Sequence, residues 1–138
     1  MTEQKQLPPK PLPLIDEDSV HYFKMAREHK FPLYNCTSCG AWYFPITECF
    51  KCDKPSMELT PASGKGTLYS FVVYHQQYHP AWVEDIPYTV ALVRTEEGPF
   101  VFGNVVGDGI DGLKTGMAMN AVFDDVQDDA AVIRWTTA

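Results

Sequence analysis

The sequence predicts a mainly β protein: one N-terminal helix, a small ribbon tied together by cysteines, then a five-stranded barrel. Three observations predict it. All four cysteines fall in two C-x-x-C pairs between residues 36 and 52, and a helix-period pattern lies just ahead of them. Five segments after residue 65 are rich in β-branched and aromatic residues and are separated by turn residues.

Taken in order, residues 1–14 contain Pro8, Pro9, Pro11 and Pro13 between polar residues. Proline fixes φ and removes an amide donor, so an extended arm is expected over residues 1–17, with Leu7, Leu12, Leu14 and Ile15 as anchors for a neighbour. "DEDSVHYFKMAREHK" opens with acids and a serine and closes with Arg27, His29 and Lys30, which matches the charge preference of the two helix ends. Val20, Phe23 and Ala26 supply an apolar stripe for a helix over residues 18–29, and Pro32 prevents its continuation. Helix and cysteine ribbon together form the expected unit 18–62. A turn-rich link, from Asp53 to Lys65, leads into the barrel unit 63–138.

The five strand segments are 66–75, 88–95, 100–106, 118–125 and 130–137, with "IDGLK" as a helical turn before the fourth. That order suits a small Greek-key barrel of the OB type. Alternation assigns Tyr69, Phe71, Tyr88, Phe100 and Phe102 to the strand core rather than to a base-stacking surface. Asp124, Asp125, Asp128 and Asp129 read as a solvated hairpin turn, because no EF-hand spacing accompanies them.

Cys36 and Cys39 form one knuckle and Cys49 and Cys52 the other. Two knuckles that each aim two thiolates at one point make a tetrahedral sulfur site, and Gly40 follows the first where a tight turn needs it. Iron of the rubredoxin kind uses the same ligands; zinc is favoured because no other redox motif accompanies them. One structural Zn2+ per chain is therefore expected, with no catalytic residue assigned. A thioredoxin-like dithiol needs a βαβ setting that the sequence lacks.

Hydrophobic residues make up 45% of the 138, enough for a packed core, and no apolar run approaches the roughly 20 residues of a membrane span. The N-terminus has no signal-peptide pattern, so a cytoplasmic setting with reduced thiols is expected. Only 11 Lys and Arg stand against 18 Asp and Glu, a net charge of −7 that argues against nucleic acid as a partner. The segment "HQQYHPAWVEDIPY" gathers His75, Tyr78, His79 and Trp82, and is expected to line a ligand or partner surface rather than to catalyse.

The order C-x-x-C-G-x-x-x-F-P…C-x-x-C, G-x-G-x-L-x-S-F, P-Y-x-V-A-L-V and a late G-M resembles one known family. The matching residues include Cys36, Cys39, Gly40, Phe44, Pro45, Cys49, Cys52, Gly64, Gly66, Leu68, Ser70, Phe71, Pro87, Tyr88, Gly116 and Met117. It is the acyl-CoA-associated zinc-ribbon/OB-fold family, first catalogued as a domain of unknown function, and the likeness covers about residues 18–137. The resemblance implies a rubredoxin-like zinc ribbon ahead of an OB barrel. It also implies an accessory role beside a thiolase-like enzyme or a MaoC-type hydratase, including steroid side-chain aldolases. The partner would carry the catalytic residues, and the OB domain would help shape the site for the acyl-CoA thioester. Where many relatives have proline after the third cysteine and arginine shortly before it, this chain has Phe50 and Thr47-Glu48, which removes a cation but no metal ligand.

Overall fold

The computed structural model describes residues 6–52 and 56–138. Residues 1–5 of the proline arm and 53–55 of the link fall outside the described part. Helix α1 spans Val20–Arg27, shorter at both ends than the 18–29 expected. Asp16 organises its start: its Oδ1 accepts the amides of Asp18 (3.0 Å) and Ser19 (2.9 Å), and its carbonyl accepts that of Val20. At the other end His29 adopts a left-handed φ of 59°. The amides of His29 and Lys30 bond back to the carbonyls of Ala26 and Met25, the Schellman termination that glycine usually occupies.

A three-stranded sheet builds the ribbon, and the first and third of its strands are not expected from the local sequence. Strand β1, Phe31–Cys36, pairs antiparallel with β2, Trp42–Tyr43, on one side and with β3, Met57–Ala62, on the other. The second half of the predicted turn-rich link is therefore strand. Pro32 faces Pro61 across the β1–β3 ladder. A pair that lacks both amides fits only the non-hydrogen-bonded register, so neither proline breaks the sheet.

The barrel strands are β4 (Lys65–Tyr74), β5 (Tyr88–Thr95), β6 (Phe100–Asn104), β7 (Ala118–Gln127) and β8 (Ala130–Thr137), close to the predicted segments. Their order is β6-β5-β4-β7-β8. A parallel bridge between Val105 and Trp135, with the Val106 amide 2.8 Å from the Trp135 carbonyl, closes the two ends into the OB arrangement. The expected turn before β7 is a 3-10 segment, Asp108–Gly112.

One core serves both parts. Ala26 of α1 and Phe31 and Leu33 of β1 join Leu68, Ala91, Val93, Val101, Met119, Ala131 and Trp135 of the barrel in a single buried cluster. Three aromatics do not follow the predicted burial: Tyr69, Phe100 and Phe102 are 60%, 43% and 70% exposed. They stand on the outside of the barrel while their neighbours Leu68 and Val101 fill it. Asp124 and Asp125 also differ from a solvated turn, for they pair with Arg134 and with Arg27 and His29.

Candidate metal centre

Strand β1 delivers Cys36, fully buried, to the start of the first knuckle. The Gly40 amide then bonds the Cys36 carbonyl at 2.7 Å, and the Cys36 amide bonds the Ala41 carbonyl at 2.8 Å. Gly40 takes φ +78°, as the turn predicted, and Asn35 braces it through its side-chain amide to the Gly40 carbonyl at 3.0 Å. β2 then carries Tyr43 back towards the second knuckle. Its hydroxyl accepts the Phe50 amide at 3.1 Å and lies 3.8 Å from the Cys49 sulfur. Ser56 closes the far side, with its carbonyl on the Thr37 amide at 3.0 Å.

The four sulfurs lie within 4.8 Å of one another. Cys36 to Cys52 is 3.6 Å, Cys39 to Cys49 is 3.5 Å and Cys49 to Cys52 is 3.6 Å. A tetrahedron with Zn–S bonds of about 2.3 Å has edges of about 3.8 Å, so the donor set fits one Zn2+ with a slight expansion. Backbone amides prepare it: the Cys39 amide above all holds the Cys36 thiol down to about 6, against its burial. The Lys51 amide, the largest influence on Cys49, lowers that thiol as well, also against burial. At Cys39 the Ala41 amide pulls the same way, but burial and the neighbouring sulfurs of Cys49 and Cys36 push the thiol up. Four thiolates crowded together need a cation to share their charge. With four protein sulfurs on the ion, no position remains for water or substrate.

The barrel loop gives three of the residues that the sequence grouped, Tyr78, His79 and Trp82, a local contact each. His79 caps a 3-10 segment, Pro80–Asp85, by accepting the Ala81 amide on Nδ1 at 3.1 Å. Tyr78 packs edge-on to Tyr74 at 6.0 Å, and Tyr74 stacks on Tyr88 at 5.2 Å. Trp82 lines a cleft of about 530 Å3 with Tyr88, Asn104, Ile110, Asp124 and Arg134. His75 and His79 are both exposed. The sequence reading missed the cleft's far wall: Lys10 of the proline arm pairs with Asp85 at 2.7 Å and lies 5.0 Å from the Trp82 ring. A lone lysine between prolines was the available signal, but it names no partner.

A closed four-sulfur ribbon joined through one core to an OB barrel defines the class: a zinc-ribbon/OB-fold protein. Residues 23–58 match the family described as ChsH2, rubredoxin-like zinc ribbon domain, and residues 59–124 that described as ChsH2, C-terminal OB-fold domain. The chain belongs to this ChsH2-type DUF35 family. It is 34% identical over 96 residues to a "DUF35 domain-containing scaffold protein" of Methanocaldococcus jannaschii, covering 68% of this chain and 67% of that one. It is 33% identical over 117 residues to a "Probable enoyl-CoA hydratase alpha subunit" of Thermomonospora curvata, covering 84% of this chain. The chain spans only 36% of the length of that relative. Among solved structures, a chain of the "Ltp2-ChsH2(DUF35) aldolase" superposes with a TM-score of 0.78 at 27% identity, over 91% of this chain and 98% of that one. Among the described residues no helix is long and apolar enough to cross a membrane.

Proposed function

We propose that the chain is a non-catalytic accessory subunit, stabilised by one zinc ion. It binds a thiolase-like or MaoC-type acyl-CoA enzyme in the cytoplasm and helps to shape the site for the acyl-CoA thioester. A steroid side-chain β-hydroxyacyl-CoA aldolase is the specific partner class we favour. The observation that carries this reading is the superposition over 98% of a chain belonging to an aldolase with two named components. The chemistry agrees with it. The four cysteine sulfurs fill the coordination shell of one zinc ion, and His79 is engaged in capping the 3-10 segment through the Ala81 amide. Phe50 at 71% and Ile46 at 43% exposure give the ribbon an apolar face of the kind that partners cover. The loop bearing His75, Tyr78, His79 and Trp82 is the second surface assigned to the partner or its ligand.

The test is purification of the tagged chain from its native host at moderate salt. A thiolase-like or hydratase subunit in fixed ratio is expected, with thioester turnover only when both chains are present. Turnover by the chain alone, or full activity of the partner without it, overturns the proposal. A second reading, single-stranded nucleic-acid binding, is favoured by Tyr69, Phe100 and Phe102, which are exposed on the barrel's outer face. That face offers Arg94 and Lys65 as its only cations among the residues of β4, β5 and β6, too few for phosphate-driven affinity. Salt-dependent retention of an oligonucleotide at physiological ionic strength would restore it.

A further inference from the structure

Strand β4 is sheltered along only half its length. Lys65, Gly66 and Thr67 pair with β7, and Leu68 exchanges backbone bonds with Gly116 and Met117. Beyond that point β5 is the one strand beside it among the described residues, so the opposite edge of Ser70–Tyr74 has none. Val72 is 49% and Val73 44% exposed. Consecutive strand residues point to opposite faces, so both faces are partly exposed at Val72 and Val73, while Phe71 packs against the core. Every second residue there turns its N–H and C=O outward, a template for another strand.

Sheet edges are normally blunted by lysine, proline, an inward charge or a bulge. The bulge of β4 lies between Leu68 and Ser70, ahead of the open stretch. From Gly66 to Tyr74 there is no proline and no charged residue. We infer that this edge pairs antiparallel with the same edge of a second copy of the chain, about a two-fold axis at Val72. This inference does not depend on the proposed partner enzyme.

Three features favour a second copy over a foreign strand. Identical edges joined by a two-fold axis consume each other, leaving no further edge to propagate. The chain carries −7, yet β4, β5 and β6 contain no carboxylate, so two such acidic molecules meet here without like-charge contact. With the axis at Val72 the facing pairs are Val72 with Val72, Phe71 with Val73 and Ser70 with Tyr74. These are uncharged and mostly β-branched or aromatic, the pairs that stabilise adjacent strands.

The experiment uses the full zinc-loaded chain. Light scattering and sedimentation at tens of micromolar should give twice the 15.6 kDa chain mass. Val72→Lys places an exposed edge charge at the axis and should weaken association about tenfold or more, with zinc content unchanged. Val73→Lys provides the same reading should the first variant fail to fold. Val72→Cys should form a symmetric disulfide dimer under mild oxidation, and Glu58→Cys, exposed on β3, should not. A monomeric wild-type chain overturns the inference, as does a dimer that survives both lysine variants or fails to cross-link through position 72. A monomer whose Ser70–Tyr74 amides gain exchange protection only with a partner enzyme present would give the edge to that partner instead, and equally overturns it.

Discussion

Gly103 on β6 shows how tightly single positions are held. A Cβ built there would stand 2.7 Å from Cδ1 and 3.0 Å from Nε1 of Trp135. That indole is fully buried, 5.4 Å from the Phe31 ring, and has nowhere to retreat. Gly103→Ala is expected to lower the unfolding free energy by about 1–3 kcal/mol. Urea titration should show an earlier midpoint while one zinc per chain is retained. The four cysteines were legible at this scale because two fixed spacings determine where their sulfurs go. The outer aromatics were not. Alternation shows that Phe100 and Phe102 share a face opposite to Val101, but not which face is inside. The expectation from alternation puts the phenylalanines inside; the narrow barrel interior takes Val101, Val93 and Ala91 instead.

Among the elements, α1 ends on a residue that carries two opposing effects. The left-handed φ of His29 costs about 1–2 kcal/mol in a non-glycine residue. In return its ring stacks on Phe123 at 5.2 Å and its Nε2 meets Asp125 at 2.9 Å. His29→Ala keeps the strained backbone and loses both contacts, so thermal unfolding should shift down by an amount equivalent to about 1 kcal/mol. His29→Gly relieves the backbone while losing the same contacts, and should stay within about 0.5 kcal/mol of the wild type. A substantial drop for the glycine variant would show that the contacts outweigh the strain. The barrel strands were readable because β-branched runs and turn residues agree there. β3 was hidden by Pro55, Pro61 and Gly64, since a proline signals a break unless its cross-strand neighbour is known. Only the pairing of Pro61 with Pro32 makes the strand intelligible, and pairing is a property of two segments.

At the scale of the molecule, ribbon and barrel share hydrophobic side chains: Ala26, Phe31 and Leu33 pack in one cluster with Trp135, Leu68 and Met119. Zinc loss should therefore be felt beyond the knuckles. Chelation is expected to lower the melting temperature of the barrel together with the ribbon, in one transition followed by both near-ultraviolet signal and zinc release. Two separate transitions, with the barrel unmoved, would show that the units are energetically independent. The expectation of a helix, a ribbon and a barrel in sequence order was legible from local patterns. That they share one interior was not, because β1 reads locally as a short link between Pro32 and the first cysteine.

The same interior sets a timetable for the chain's birth. Trp135 and its strand leave the ribosome more than a hundred residues after Phe31. The helix and β1 therefore emerge with Ala26, Phe31 and Leu33 lacking their final cover, and must wait for the C-terminal strand before the interior is sealed. A nascent chain stalled before Trp135 is made would keep that surface open to chaperones, however early the ribbon had captured its metal.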